Sequence, residues 1–296
     1  MKRTIALAVG VALVASFLIA VIAVPASAGA GVFSITGCTD AGVRADDPIV
    51  MPHAKGRSHV HQFFGNKSTN ADSTYNDMVV AGTSCPLSAD TAGYWAPALL
   101  DPNGQPAKLK RATAYYRATS GSKGQPIRAF PRDLRIIAGS PEFETGTDML
   151  GWGCDDQTYL PTIPDCSSSG KKFVKAHIIF PSCWDGVNND SDDHRSHMAY
   201  PDGAKCPASH PVRVPRLSLH FTWAVTDGTG YSLASDMDEG TSAGHTLHAD
   251  FWNTWNQGAL EMLVNSCLNT GSSCLGMTDS NFKSRAGASI GAPTVP

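Results

Sequence analysis

Charge is sparse in this sequence, and neither sign dominates. Charged residues make up 17% of the 296-residue chain and the net charge is −3. Basic residues are scattered, with no basic stripe and no interleaving of basic and aromatic side chains, so no nucleic-acid partner is expected. Apolar runs of membrane-spanning length are lacking after the first residues, so no membrane association is expected once those are removed. CxxC pairs are absent, which argues against a zinc ribbon or a redox dithiol. There is no GxSxG elbow, no HExxH, no P-loop and no GxGxxG opening a βαβ unit. Carboxylate pairs occur, but nothing in their spacing fixes the separation that a glycosidase needs. Internal repeats are lacking as well.

What is present begins with an export signal. Lys2 and Arg3 give a positive start, Ile5 to Val24 is almost wholly apolar, and Ala26-Ser27-Ala28 fits small-x-small cleavage. Residues 1–28 are therefore read as a signal peptide, with an uncleaved anchor as the alternative, and the protein as secreted. All eight cysteines (38, 85, 154, 166, 183, 206, 267 and 274) follow it. An even count in an exported chain reads as disulfides. Nearest-neighbour pairing is the expectation, and it is best founded for Cys267 with Cys274, which follow a helix end and a short Gly-Ser turn.

Residues 29–280 fit one domain, and residues 281–296, small and polar with Gly and Pro, read as a flexible tail. Alternation is the main periodic signal. In Arg216 to Val225, Leu217, Leu219, Phe221, Trp223 and Val225 form one apolar face, and Ser218, His220 and Thr222 the polar one. Val174, Ala176, Ile178 and Phe180 alternate likewise, with His177 opposite. Tyr94 to Leu100 and Leu109 to Arg117 flank Asp101-Pro102-Asn103-Gly104, a strong turn sequence, and read as a hairpin. One amphipathic helix is expected, from about Asn253 to Leu268, capped by Asn253. The fold class that follows is mainly β. It is a disulfide-linked antiparallel sandwich or jelly roll with long rim loops and one C-terminal amphipathic helix.

Chemistry concentrates in three histidine segments: Ser58-His59-Val60-His61-Gln62-Phe63-Phe64-Gly65-Asn66, Asp192-Asp193-His194-Arg195-Ser196-His197-Met198 and His245-Thr246-Leu247-His248-Ala249-Asp250-Phe251-Trp252. In a strand, His59 and His61 project from one face and can bind one ion or flank one substrate. On a helical turn His194 and His197 share a face, beside Asp192 and Asp193, and Arg195 adds a clamp for a carboxylate or phosphate. Asp250 is either an acid beside His248 or a helix-start residue. Each segment alone also reads as ordinary solvated polar structure. Three of them together suggest a single assembled site. His53, His177, His210 and His220 lack such company and read as ordinary. Asp46-Asp47-Pro48 reads as turn chemistry or as carboxylates facing the histidines.

These motifs carry a family resemblance. Asp47-Pro48-Ile49-Val50, the Ser58–Asn66 run, Thr91-Ala92-Gly93-Tyr94-Trp95-Ala96-Pro97-Ala98-Leu99, Phe180-Pro181-Ser182-Cys183-Trp184-Asp185-Gly186, His194-Arg195-Ser196-His197-Met198-Ala199-Tyr200, Cys206-Pro207-Ala208-Ser209-His210-Pro211 and His248-Ala249-Asp250-Phe251-Trp252-Asn253 resemble DUF1996, a family of secreted bacterial and fungal proteins. The resemblance runs from about Asp47 to Cys267. Gln62 stands where the family's pattern commonly has an acid, which puts a role for that position in doubt. The family carries no assigned function, and its occurrence in wall-associated fungal proteins implies polysaccharide.

The functional expectation is a secreted carbohydrate-active enzyme, a hydrolase or lyase acting on cell-wall or environmental polysaccharide. His61, His194, Asp193, His248 and Asp250 are the expected catalytic groups. In a metal-assisted version, His59, His61, His197 and His248 hold a divalent ion that activates water or neutralises a sugar carboxylate; copper is a variant. In a metal-free version a histidine is the acid or base, oriented by an aspartate. The alternative is a non-catalytic glycan- or metal-binding surface module, with Trp95, Trp152 and Trp184 stacking on sugar rings. A third reading is an acid-sensing wall protein.

Overall fold

The structure is a computed structural model that describes residues 31–119, 126–140, 149–168, 170 and 173–286. The expected signal peptide, residues 1–28, and residues 287–296 of the expected tail lie outside them.

Strand alternation builds two main sheets, mostly antiparallel as expected. Their strands in chain order are β1 (Val32–Cys38), β2 (Asp40–Arg44), β3 (His61–Gly65), β4 (Gly93–Pro97), β5 (Leu109–Arg117), β6 (Arg135–Gly139), β7 (Leu150–Cys154), β8 (Val174–Ile179), β9 (Arg216–Trp223), β10 (His248–Trp252) and β11 (Ser273–Cys274). The six-stranded sheet runs β11-β1-β5-β9-β8-β7, and the five-stranded sheet runs β2-β3-β4-β10-β6. Only β11 against β1 is parallel among these pairs. The sheets do not close into a barrel.

The core lies between the two sheets. From the six-stranded sheet come Phe33, Ile35, Tyr116, Leu217, Leu219, Phe221 and Trp223; from the other come Phe64, Tyr94, Ala96, Ala249 and Phe251. Each large side chain removed from water contributes about 1.5–3 kcal/mol, so this layer dominates stability. The contacts across it are specific. Phe64 meets Phe221 edge-on with ring centroids 5.2 Å apart, and Trp223 Nε1 donates to Gln62 Oε1 at 2.7 Å. Polar atoms this deep need partners. Tyr94 donates to Asp90 at 2.8 Å, its hydroxyl lies 2.5 Å from that of Tyr116, and Trp255 Nε1 donates to both phenols.

A second, smaller cluster covers the outer face of the five-stranded sheet: Ile49, Phe63, Met78, Trp95, Ile137 and Trp252. The loop between β2 and β3 supplies Ile49. Thus β3 and β4 are buried on both faces, and every residue of each is buried.

Four disulfides pair the cysteines as neighbours in sequence: Cys38–Cys85, Cys154–Cys166, Cys183–Cys206 and Cys267–Cys274. No helix among the described residues is long and apolar enough to cross a membrane.

Four expectations need correction. The Asp101–Gly104 turn forms, with Asp101 Oδ1 accepting from Asn103 N and Gln105 N. Its immediate flanks pair, with Leu100 bridging Pro106 and Ala107 N donating to Leu99 O, but the expected hairpin goes no further, because β4 and β5 belong to different sheets and the turn carries the chain from one to the other. The C-terminal helix begins at Gln257, where the Asn256 side chain accepts from Ala259 N. Asn253 instead donates to the Phe130 and Pro131 carbonyls. This helix, Gln257–Leu263, continues as a π-helical turn, Val264–Leu268. Within the expected flexible tail, residues 281–286 belong to a helix, Asp279–Ala286, docked by Phe282 at 4% exposure. Finally, Trp95 and Trp152 are fully buried and Trp184 is 6% exposed, so these indoles serve packing and present no stacking platform.

Candidate metal centre

The histidines meet on the outer face of the five-stranded sheet. Alternation along β3 turns Gln62 and Phe64 inward to the core and leaves His61 and Phe63 outward. Pairing of β4 with both β3 and β10 sets His61 beside Pro97 and Asp250 beside Trp95. His248 stands two residues before Asp250 and therefore shares its face. His59, just before β3, keeps the extended path, and its ring lies 4.3 Å from that of His61 between centroids. Segments nearly two hundred residues apart thus become neighbours: His59 Nε2 lies 3.3 Å from His248 Nε2.

Backbone carbonyls fix which nitrogen each ring presents. His61 Nδ1 lies 3.0 Å from the Asp46 carbonyl, and His248 Nδ1 lies 2.7 Å from that of Thr246. A carbonyl only accepts, so each Nδ1 carries the proton and each Nε2 keeps its lone pair. His61 Nε2 is buried with no hydrogen-bond partner. His59 is turned by Asp238, whose Oδ2 lies 3.3 Å from Nδ1, and this aspartate is well exposed.

Two carboxylates join from the other side. Ligand atoms of Asp47, His61 and Asp250 lie within 4.8 Å of one another, as do those of His59, His61 and His248. Asp47 fulfils both roles that its sequence allowed. Its Oδ1 accepts from Ile49 N and Val50 N, which folds the covering loop, and the carboxylate faces the histidines. Both oxygens of Asp250 are buried with no hydrogen-bond partner.

The electrostatics follow from this burial. Desolvation pushes the Asp250 pKa well above the carboxylate range; the charge of Asp47 adds to this and the guanidinium of Arg195 opposes it. Desolvation, reinforced by the neighbouring rings, pushes His61 well below its usual value and His248 down to about 3. His59 is lowered less, because Asp238 and Asp47 counter its burial. The rings are therefore neutral at neutral pH, the form that binds metal.

The middle segment reaches the centre differently from expectation. Residues 189–197 run along β6, the edge strand. Arg135 N donates to Asn189 O, and His197 Nε2 donates to Arg135 O at 2.7 Å. His197 Nδ1 lies 2.8 Å from Ser191 Oγ. Both nitrogens of His197 are engaged, so it is a clasp rather than a ligand. His194, at φ +56°, binds Asp190 Oδ1 through Nδ1 at 2.9 Å and does not join the cluster. Asp193 accepts from the backbone N–H groups of Arg195 and Ser196, closing its own exposed turn. These bonds hold its pKa far below the usual range. The residue that this segment does deliver is Arg195. Its Nη1 donates to Gly139 O at 2.7 Å, and Gly139 pairs with His248 across β6 and β10.

Gln62 settles the departure noted at that position. It faces the inter-sheet core, bonding Asp40 and Trp223, so an acid there would point away from the histidines. His245 is exposed, and His210 clasps the Ser196 carbonyl at 2.9 Å. His177 and His220 are not isolated surface groups; they form a buried pair, Nδ1 to Nε2 at 3.4 Å, on the other sheet. Asp238 and Thr246 lack any motif signal, since one acts from a helix and the other through its backbone carbonyl.

A cavity of about 330 Å3 lies elsewhere, lined in part by Arg128, Trp184, Gln257 and Glu261, and no histidine borders it.

Fold and site together define a disulfide-tied, mostly β protein with a convergent histidine–aspartate cluster buried under a loop. The chain belongs to the DUF1996 family, described as a domain of unknown function, whose model matches residues 47–255. No curated protein and no solved structure matches the chain. The matched region contains every side chain of the cluster, from Asp47 to Asp250.

Proposed function

We propose that this is an exported protein that holds a divalent transition-metal ion, with His59, His61, His248, Asp47 and Asp250 as the ligand set. One observation carries this reading. His61 Nε2 and both Asp250 oxygens are buried without hydrogen-bond partners, yet they lie in groups of ligand atoms within 4.8 Å. Buried acceptors without donors are costly, and a cation supplies what they lack. A mixed imidazole–carboxylate set suits zinc, copper, nickel or iron better than calcium or magnesium. The backbone carbonyls of Asp46 and Thr246 act as outer partners that orient the rings. Four disulfides and an apolar leader with a small-x-small site support export.

Catalysis on polysaccharide, a hydrolase or lyase reaction, is the second reading. A bound ion would supply Lewis acidity and an acidified water there. The chain's own contribution would be His59, the least buried ring, which with Asp238 can pass a proton to solvent. Arg195, beside Asp250, would hold a sugar carboxylate.

The test is elemental analysis of protein purified from its own medium, with titration of the stripped protein by zinc and copper. We expect one equivalent of ion per chain, with affinity reduced at least roughly tenfold in His61→Ala and in His248→Ala. A folded wild-type protein that binds neither ion would end the metal reading. A glycan screen with and without chelator decides the second, which fails if no product forms in either.

A further inference from the structure

The outer face of the six-stranded sheet carries a second polar cluster, separate from the histidine centre. Strands β5 and β9 are antiparallel neighbours, and their register sets Arg216 directly opposite Arg117. Alternation sends both to the face away from the core, since Tyr116 and Leu217 fill the interior. Like charges directly opposite in a sheet destabilise it. Neither guanidinium has an ion-pair partner among the described residues. Both are only partly exposed, and Arg216 Nε is buried with no acceptor. Arg117 lies over the Tyr115 ring, 4.4 Å from its centroid. Burial and then Arg216 push its pKa down.

The rest of the face shows that this charge imbalance is local. Further along, Arg111 pairs with Asp155, and the charge of Lys175 is countered by Asp155 and Asp156. Between these ends lie Ser218, which pairs with Tyr115, and His220, whose Nε2 is 3.3 Å from Ser218 Oγ. Among the described residues, positive charge is answered at one end of the row and left unanswered at the other. A sheet that packs two half-buried guanidiniums side by side is disfavoured until something with two acceptor oxygens bridges them. The planar fork of arginine matches carboxylate, sulfate and phosphate geometry, and such charge-assisted bonds are the strong ones.

We propose that Arg117 and Arg216 form an oxyanion site that takes a sulfate, phosphate or carboxylate group, with the Ser218 hydroxyl beside it. A free ion and a group carried on an acidic polymer share this chemistry. The site is independent of the metal reading, since it uses another sheet.

Calorimetric titration with inorganic sulfate and with a sulfated oligosaccharide, at fixed ionic strength, tests it. The expected result is one sulfate per wild-type chain, with affinity falling roughly tenfold or more in the Arg117→Gln/Arg216→Gln double variant and unchanged in His61→Ala. Tighter binding of the oligosaccharide than of the ion, lost in the same double variant, identifies a polymer-borne ligand; equal affinity identifies the free ion. Sulfate binding absent from the wild type, or equal in the double variant, overturns the proposal. A second readout guards against misfolding. Arg117→Gln alone relieves the repulsion, so its thermal midpoint at low ionic strength is expected to rise above the wild type and the gain to shrink with sulfate. A midpoint lowered equally at low and high salt would show an internally paired arginine and overturn the site.

Discussion

Asp90 illustrates how much one buried group can govern. It is fully buried, it accepts from Tyr94, and desolvation raises its pKa to about 8. The folded protein therefore keeps a proton that the unfolded chain releases above about pH 4. Stability from this group is present at pH 4 and is lost as pH rises toward 8, by up to about 1.4 kcal/mol per pH unit. Asp90→Asn keeps the acceptor for Tyr94 and removes the titration. Urea unfolding at pH 5 and pH 8 should show the wild type losing stability relative to the variant across that interval. A constant difference would refute it. His177 works in the opposite direction. Burial lowers it to about 4, so its contribution is present above pH 6.5 and declines as pH falls below that value, when only the unfolded chain gains the proton.

Single residues were also where sequence reading was most uneven. His59, His61, His248 and Asp250 were legible because two short motifs placed them in pairs two apart beside aromatic residues. His194, His197 and Asp193 carried an equally strong local signal, yet their hydrogen bonds are spent on residues 190–197 and on β6. Spacing reports which rings can share a face; it does not report whether their nitrogens are already engaged. Asp47 remained open between turn and site because it does both.

At the scale of elements, two joints hold the centre in place. Gly139 ends β6 at φ +79°, and its carbonyl accepts from Arg195. A Cβ there would sit 2.6 Å from the Leu247 carbonyl oxygen and 2.9 Å from His248 Cα. Gly139→Ala is expected to cost more than about 1 kcal/mol from the left-handed backbone alone, and to displace His248. Denaturation together with metal titration checks this; wild-type affinity in a folded variant would show that the joint does not position the ring.

The second joint is Asp236, in the helix Ala234–Asp238. It is fully buried and accepts from Leu233 N, Gly244 N, Thr246 N and Thr246 Oγ1. That set ties the helix that carries Asp238 to His59 to the loop that brings the Thr246 carbonyl to His248. Asp236→Asn replaces one acceptor oxygen by a donor facing N–H groups. A loss of about 1–3 kcal/mol follows, with weaker metal binding although no ligand is altered. An unchanged unfolding midpoint would contradict this. Nothing in the sequence marks Asp236, because its partners are three backbone N–H groups and one hydroxyl up to ten residues away.

For the whole molecule, the proposed ion would be linked to the fold. A ligand that binds only the native state adds about 2.7 kcal/mol at a hundred times its dissociation constant. The thermal midpoint should therefore rise with added zinc or copper and return on chelation in the wild type, and stay constant in His61→Ala. Chelator-insensitive wild-type protein, after metal removal is verified, would contradict the linkage.

The sequence by itself determined several of the strands, the mainly β class, the bridging of all eight cysteines and the histidines worth watching, while the disulfide partners were an expectation well founded only for Cys267 with Cys274. Period-two alternation, the short gap from Cys267 to Cys274 and paired rings are local properties, readable wherever the deciding interactions lie within a few residues. Sheet membership needed the tertiary structure: β4 and β5 flank a genuine turn yet join different sheets, a choice made by apolar faces more than a hundred residues away. The identity of the middle segment's contribution was decided in the same way. Register across β6 and β10 brings Arg195 to Asp250 and spends His197 on a backbone carbonyl. Hydrogen bonds between distant strands, satisfied only when the whole core closes, leave no trace in the spacing of residues along the chain.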